Sequence, residues 1–178
     1  MIVGGQELRW GVLVMFPDEI LHRARALIAA CEKKGAKMAM AESCTGGLIG
    51  ASLTAVAGSS AVVERGFITY SNEAKMALLG VPEALLISHG AVSPEVAMAM
   101  AEGALTAAPV QLSVAVTGIA GPGGGTEDKP VGTVHIAAAG LGAATLHEHN
   151  LFSGDRDAVR LATVEAALGL AHSCLKGV

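Results

Sequence analysis

The sequence predicts a three-layer α/β/α domain with a mixed, mostly parallel sheet. Segments typical of helices alternate with segments typical of strands, which is the pattern of an α/β fold. Several predicted strands are short apolar runs bounded by glycine-containing turns, as expected for strands buried on both faces. The chain has 178 residues, of which 52% are hydrophobic and 16% charged. This length and composition fit one domain with a sizeable core.

The first part of the chain predicts two helices and two strands. From Asp18 to about Lys33, apolar residues recur at helical spacing, and Gly35 supplies a stop. The residues that follow predict a buried strand at 38–41, a helix at 45–54 and a β-rich second strand at 66–70.

The second part predicts four helices and three strands. Ser71 or Asn72 is expected to cap a helix that ends at Gly80, and Ser93 and Asp155 are expected to cap two later helices. The remaining pattern predicts a short helix at 82–89, a helix at 94–107, a buried strand at 112–117, a glycine-rich loop at 118–125, a hairpin of strands at 132–139 and 143–151, and a last helix at 156–175.

Charge and composition argue against several classes of partner. A net charge of −4 and a pI near 5.8 provide no basic surface for nucleic acid, and five aromatic residues offer few platforms for stacked bases. No apolar run reaches the roughly 20 residues of a membrane span. We therefore expect neither a nucleic-acid partner nor a membrane. Three cysteines form no disulfide framework, so the expected location is cytoplasmic.

Residues 1–16 are expected to be an extension that precedes a domain at residues 17–178. Residues 12–16 are apolar, but Glu7 and Arg9 precede them and no convincing cleavage site follows, so a signal peptide is not predicted. The alternatives are a short strand, or a start codon placed too early with Met15 as the natural start.

The turn after the first strand is the main candidate for chemistry. Ser43 and Cys44 are expected where a buried strand meets a helix N-terminus. The helix would leave the N–H groups of Thr45, Gly46 and Gly47 unpaired, and such donors could stabilise negative charge on a reacting oxygen. From the residues alone, the alternatives are Ser43 as nucleophile, Cys44 as nucleophile, or simple helix caps.

Lys75 is the candidate base. An ordinary lysine has a pKa of about 10.4 and is almost fully protonated near pH 7, so a base requires a lowered pKa. A position in the first turns of a helix, together with burial, would lower it. A solvated surface lysine is the alternative. Tyr70 is expected to orient Lys75, to stack on a planar ligand, or to be a core residue at a strand end.

Two arginines and the glycine-rich loop are candidates for binding an anion. Arg156 and Arg160 stand one turn apart at the start of the last helix, where they could bind a phosphate or carboxylate, or instead pair with Asp155 or Asp157. The loop at 118–125 follows a strand end, where ligands bind in open α/β sheets. It lacks the Gly-Lys-Ser/Thr of a P-loop.

His147 and His149 are the candidate metal ligands. They share one face of a predicted strand, but the sequence shows no evident third ligand. We therefore expect no metal and no cofactor.

Six motifs occur in order along the chain: AESCTGG (41–47), GFITYSNEAK (66–75), HGAVS (89–93), TGIAGPGGG (117–125), KPVGT (129–133) and GDRDAVR (154–160). Together they closely resemble the CinA C-terminal domain family, whose stand-alone enzymes are nicotinamide-nucleotide amidases. The match covers about Asp18 to Leu175. The N-terminal domain of full-length competence/damage-inducible CinA proteins falls outside it.

The resemblance implies a metal-free enzyme that hydrolyses nicotinamide mononucleotide to nicotinate mononucleotide and ammonia, in pyridine nucleotide salvage. The family's Ser/Lys dyad maps onto Ser43 and Lys75, with an acyl-enzyme on the serine. Because family members also occur as dimers or higher assemblies, we expect a homo-oligomer. The implied oxyanion and substrate contacts are Cys44, Thr45, Gly46, Gly47, Tyr70, Thr117, Gly118 and Arg156, with Arg156 on the phosphate.

Two rival functions stay open at the level of sequence. One is an amidase for another pyridine nucleotide on the same scaffold, which a substrate profile would distinguish. The other is a non-catalytic nucleotide-binding or competence-related interaction module, which would bind the nucleotide without turnover.

Overall fold

A five-stranded sheet with helices on both faces forms the structure, a computed structural model that describes residues 15–178. The strands are β1 (Met38–Glu42), β2 (Val63–Ile68), β3 (Leu112–Gly118), β4 (Thr133–Gly140) and β5 (Leu146–Leu151). The interpretation of residues 12–16 as a strand falls mostly on residues 1–14, outside the described residues.

The sheet has the order β2-β1-β3-β4-β5. Strand β1 pairs in parallel with both β2 and β3, whereas β4 is antiparallel to β3 and to β5. Four of the five strands therefore run in one direction, which confirms the predicted mixed, mostly parallel sheet. The antiparallel pair of β4 and β5 is the predicted hairpin.

Six α-helices of the described residues cover the two faces. They are α1 (Asp18–Lys34), α2 (Leu48–Thr54), α3 (Asn72–Leu79), α4 (Glu83–His89), α5 (Pro94–Ala107) and α6 (Arg156–Cys174). Helices α1, α2 and α6 pack on one face, and α3, α4 and α5 on the other. By length and composition alone the segment Arg156–Gly177 could cross a membrane, but half of its most apolar window is buried inside this fold.

The helix ends follow the predicted signals. The side chains of Ser71, Ser93 and Asp155 accept the capping hydrogen bonds of α3, α5 and α6 at 3.1, 3.3 and 2.9 Å. Gly35 and Gly80 end α1 and α3 in the left-handed conformation. These local signals are therefore confirmed, because each needs only a partner within a few residues.

One predicted helix boundary is wrong. The helix expected at 45–54 begins at Leu48 instead. Gly46 and Gly47 have φ angles of 60° and 104°, which lie outside the right-handed helical region. The preceding turn is therefore a separate element that carries Ser43.

Two strand boundaries also differ from the prediction. Strand β2 begins three residues earlier than expected and ends before Tyr70, whereas β5 begins three residues later. Both are edge strands whose residues are largely half-buried or exposed. Their apolar pattern is therefore weak, and the sequence marks their ends poorly.

The two faces of the sheet differ in side-chain size. Toward α1 and α6 the strands present large side chains, among them Met38, Met40, Leu112, Val114 and Ile136. Toward α5 they present Ala41, Ala115, Ala137 and Ala139. On this second face α5 also lies very close to α3, since a Cβ atom on Gly103 would overlap the carbonyl oxygen of Leu79.

Replacing Gly103 by Ala is expected to lower the free energy of unfolding by about 1–3 kcal/mol, because the added methyl group overlaps the backbone of α3. Gly169→Ala in α6 is the matched control. Its nearest neighbour would be Nη1 of Arg23 at 3.7 Å, an ordinary contact. Alanine there should raise stability by up to about 1 kcal/mol through helix propensity. Chemical denaturation measures both changes, and equal effects would contradict the prediction.

Candidate active site

A cavity of about 300 Å³ lies at the carboxyl ends of β1 and β3. Its wall comprises the turn after β1, the start of α3, the α4–α5 connection, the glycine-rich loop and the start of α6. Seven of the ten predicted site residues line it: Ser43, Cys44, Tyr70, Lys75, Thr117, Gly118 and Arg156. Thr45, Gly46 and Gly47 lie behind this wall and do not line the cavity.

The side chains of Ser43 and Lys75 meet on the cavity wall. Nζ of Lys75 donates to Oγ of Ser43 at 3.1 Å and to the carbonyl oxygen of Thr69 at 2.8 Å. Lys75 is only 1% exposed. Burial lowers its pKa, while negative charge at Cys44 or Glu73 would raise it. An amine with a lowered pKa next to a hydroxyl group can accept the hydroxyl proton.

Backbone hydrogen bonds fix both partners relative to the sheet. The N–H group of Ser43 donates to the carbonyl oxygen of Val116 in β3 at 3.1 Å. The N–H group of Thr69 donates to the carbonyl oxygen of Glu42 at 2.8 Å, on the opposite side of β1. The hydroxyl group and the carbonyl that hold the Lys75 amine are therefore both tied to the end of β1.

The carboxylate of Glu42 holds the turn from behind. It accepts hydrogen bonds from Oγ1 of Thr45 at 2.6 Å and from the N–H groups of Gly47, Ile49 and Gly50 at 2.9, 3.1 and 2.9 Å. Glu42 is 1% exposed. Glu42 thus pairs the N–H groups of Ile49 and Gly50 in the first turn of α2. The N-cap residue Gly47 has no side chain that could accept them.

The expectation that the turn leaves a row of unpaired N–H groups is wrong for two of them. The N–H group of Gly46 donates to the carbonyl oxygen of Ser43 at 3.1 Å, and that of Gly47 is taken by Glu42. The N–H groups of Cys44 and Thr45 have no acceptor among the described residues. They lie close enough to the Cys44 sulfur to favour negative charge on it. Of these two residues only Cys44 lines the cavity, so this turn offers the N–H group of Cys44 to an oxyanion there.

The thiol of Cys44 also lines the cavity. Burial raises its pKa to about 11; the charge of Glu42 acts in the same direction, while the nearby N–H groups and Lys75 act against it. Because the thiolate is the nucleophilic form, a thiol that stays protonated near neutral pH is a poor competitor. The hydrogen bond of Lys75 is with Oγ of Ser43, so the amine is placed beside the hydroxyl group of Ser43.

The side chains of Thr117, on the cavity wall, and Lys129 hold the α4–α5 connection. Oγ1 of Thr117 donates to the carbonyl oxygen of Ala91 at 2.8 Å. Nζ of Lys129 donates to the carbonyl oxygens of His89 and Val92 at 2.9 and 2.7 Å. Ala91 and Val92 line the cavity, so these contacts position that part of its wall.

Arg156 joins two other parts of the wall. Its Nη1 donates to the carbonyl oxygen of Gly121 at 2.8 Å, and its Nη2 donates to the hydroxyl group of Tyr70 at 3.0 Å. Tyr70 therefore orients Arg156. The alternative that Tyr70 orients Lys75 is wrong, because the lysine amine is held by the carbonyl oxygen of Thr69.

Arg160 does not line the cavity. Its Nη2 donates to the carbonyl oxygen of Thr45 at 3.0 Å, and its Nη1 lies 3.5 Å from Oδ1 of Asp157. Arg156 and Lys75 are the two basic residues among the described lining residues, none of which is acidic, and Arg156 keeps its charge even when Lys75 is neutral. The wall is therefore suited to an anionic ligand.

His147 and His149 meet a third histidine that the sequence analysis missed. Nδ1 of His135 lies 3.0 Å from Nε2 of His147, and the rings of His135 and His149 stack with centroids 4.7 Å apart. Burial and then the neighbouring histidines lower the pKa of His135 to about 4. Within residues 15–178, no group of three or more His, Cys, Asp or Glu side chains is arranged to hold a metal ion.

Three contributors to the site were not predicted: Glu42, Lys129 and Asn72. Asn72 was considered only as a helix cap, yet it lines the cavity. Glu42 stands five positions before the N-cap Gly47, and this spacing of an acid before a glycine pair is a signal that could have been used. Lys129 contacts a carbonyl group 37 positions away, for which the sequence carries no local signal.

Known proteins are similar to this chain over most of its length. A family profile described as the CinA C-terminal domain matches residues 21–175. A CinA-like protein from Geobacter sp. (strain M21) is 55% identical over 161 residues, which are 90% of this chain and 39% of that protein. The chain thus spans about two fifths of the length of that curated relative.

A second relative matches over nearly its whole length. The nicotinamide-nucleotide amidohydrolase PncC of Escherichia coli (strain K12) is 48% identical over 154 residues, covering 86% of this chain and 93% of that protein. Among solved structures, the competence/damage inducible protein CihA from Agrobacterium tumefaciens has a TM-score of 0.89 at 47% identity, covering 91% of this chain and 99% of that one. This chain belongs to the CinA C-terminal domain family.

Proposed function

We propose that the chain hydrolyses nicotinamide mononucleotide to nicotinate mononucleotide and ammonia. The observation that carries this proposal is the buried 3.1 Å contact between Nζ of Lys75 and Oγ of Ser43, on the wall of a cavity suited to an anion. The name of the Escherichia coli relative PncC, nicotinamide-nucleotide amidohydrolase, supports the same reaction.

The first half of the proposed reaction forms an acyl-enzyme. Neutral Lys75 accepts the proton of the Ser43 hydroxyl group while its own N–H donates to the carbonyl of Thr69, which turns the lone pair of the amine toward Ser43. The serine oxygen attacks the carboxamide carbon, and the carbonyl oxygen becomes an oxyanion. The N–H group of Cys44, a lining residue, stabilises it.

The second half releases the two products. Protonated Lys75 donates its proton to the departing nitrogen, so that the C–N bond breaks and ammonia leaves an ester on Ser43. A water molecule then gives its proton to the neutral amine and attacks the ester carbon. Collapse of this second intermediate breaks the ester bond, and protonated Lys75 returns its proton to Ser43. The carboxylic acid is released and loses its proton to solvent to give the carboxylate.

The nucleotide phosphate is proposed to bind Arg156. Two of the guanidinium nitrogens already donate to Gly121 and Tyr70, which fixes the orientation of the fork, and the remaining N–H groups are available for a phosphate oxygen. Tyr70 and Asn72 flank the same part of the wall. Arg160 is not proposed, since its side chain is bound to Thr45 and Asp157.

We further propose that this catalytic unit spans residues 17–178 and acts in the cytoplasm, in pyridine nucleotide salvage. Its three cysteines are free and buried, which fits a reducing compartment. Assembly into a homo-oligomer stays a prediction.

Ser43→Ala and Lys75→Met are each expected to lower kcat for nicotinamide mononucleotide by at least about a hundredfold, because each removes one member of the dyad. Ammonia release and formation of the acid nucleotide, measured with a chelator present, check this. Ser88→Ala and Lys37→Met are the controls, since both residues are exposed and neither lines the cavity. A wild-type protein that binds the nucleotide without turnover would instead favour the interaction module.

The activity is expected to rise with pH along an acid limb of about tenfold per pH unit, because only neutral Lys75 accepts the serine proton. Burial lowers the pKa of Lys75, so the limb should level off below the ordinary lysine pKa of about 10.4. Below the folded-state pKa the amine is charged and activity is lost. A pH profile of kcat/KM measures this, and a flat profile down to about pH 5 would contradict lysine as the base.

Cys44 is expected to resist alkylation in the native protein. With a pKa of about 11, its thiolate fraction near pH 7.5 is only about one in three thousand, against roughly one in ten for an ordinary thiol. Iodoacetamide labelling followed by mass spectrometry checks this. All three cysteines should react in concentrated guanidinium chloride. Native labelling of Cys44 at the rate of free cysteine would indicate a thiolate and argue for Cys44 as the nucleophile.

A further inference from the structure

We propose that Glu42 is the positioning residue of this site. Its carboxylate binds the turn and the start of α2, and it thereby sets the place of Ser43 and decides which N–H groups remain for the oxyanion. The proposal rests on the proposed function in that Ser43 is taken as the nucleophile.

Glu42 uses both carboxylate oxygens. Oε2 accepts three hydrogen bonds, from Thr45 Oγ1, Gly47 N and Ile49 N, at 2.6–3.1 Å. Oε1 accepts one, from the N–H group of Gly50 at 2.9 Å. All four donors lie within eight positions after Glu42, and together they span the turn that begins with Ser43. One rigid group therefore holds both ends of this turn.

The charge of Glu42 is balanced by these donors rather than by a cation. Glu42 is 1% exposed, and among residues 15–178 no Lys, Arg or His side chain forms a salt bridge with it. A buried charge without such donors would be very costly. The partial positive charge at the start of α2 is thus directed at Glu42 and away from the cavity.

This arrangement decides which donors of the turn stay unpaired. Gly47, Ile49 and Gly50 donate to Glu42, which leaves the N–H groups of Cys44 and Thr45 without an acceptor among the described residues. Of these two residues, Cys44 lines the cavity. A glutamine at position 42 would present an NH₂ group to N–H groups that need an acceptor. The turn would then rearrange, and Ser43 would move relative to Lys75.

Glu42→Gln is the test, with Ser52→Ala as the matched control. Ser52 is buried in α2, and its Oγ donates to the carbonyl oxygen of Ile49 at 2.7 Å. Alanine at position 52 therefore removes one buried hydrogen bond and none of those to Glu42. We expect Glu42→Gln to lower kcat by about a hundredfold with KM changed by less than about threefold. Ser52→Ala should keep kcat within about threefold of wild type.

A second readout does not depend on the substrate. A fluorophosphonate probe labels an activated serine, and mass spectrometry identifies the residue. Labelling of Ser43 should slow at least about tenfold in Glu42→Gln and stay unchanged in Ser52→Ala. If wild type is labelled at Ser43 but does not hydrolyse nicotinamide mononucleotide, the proposed function fails while this comparison still decides the role of Glu42.

Three outcomes would overturn the proposal. The first is that Glu42→Gln turns over substrate or is labelled at the wild-type rate. The second is that Ser52→Ala loses as much kcat as Glu42→Gln. The third is that a rise in KM accounts for the whole loss of kcat/KM in Glu42→Gln. Should Glu42→Gln not fold, as judged by circular dichroism, Thr45→Val removes only the 2.6 Å donor. It should lower kcat by about tenfold, and a wild-type rate there would equally overturn the proposal.

Discussion

The parallel pairing of β1 with a strand on each side is the constraint on which the rest of the structure depends. Because β2, β1 and β3 run in one direction, the segments that follow them leave the sheet at the same edge. Ser43 and Lys75, 32 positions apart, meet there. An antiparallel β2 would carry the segment before α3 to the opposite edge, and the two side chains would not meet.

Two ionisable side chains, Glu42 and Lys75, are buried near Ser43, and they have different hydrogen-bond partners. The carboxylate of Glu42 is met by four donors, so its charge is stabilised in place. Among the described residues, the amine of Lys75 is met only by a hydroxyl and a carbonyl oxygen, and loss of its proton relieves the cost of burial. The site thus combines a carboxylate held by hydrogen bonds with an amine whose pKa is lowered by burial.

The features that the sequence predicted well are those with local partners. Ser71, Ser93 and Asp155 cap helices through N–H groups three positions away, and the strands β1 and β3 are mainly apolar and buried along nearly their whole length. The edge strands β2 and β5 carry weaker patterns, so their ends were misplaced. Local hydrogen bonding and full burial are therefore what made an element predictable.

The site was predicted less completely than the fold. Residue types and family resemblance pointed to Ser43, Lys75 and Arg156, all of which line one cavity. Glu42 and Lys129 were missed because they bind mainly backbone groups, which every residue type carries. For the same reason the sequence could not tell which N–H groups of the turn stay unpaired.

The close approach of α5 to α3 at Gly103 connects the packing of these helices with the position of the Lys75 side chain. Helix α3 has eight residues and is about 12 Å long, with Lys75 near its start and Leu79 at its end. Lys75 lies one turn before Leu79 in α3, so any bulk at Gly103 that displaces α3 would shift the lysine with it. A displacement of about 1 Å at a reacting group can cost about a hundredfold in rate. Packing at position 103 therefore bears on the position of Lys75, although residue 103 does not line the cavity.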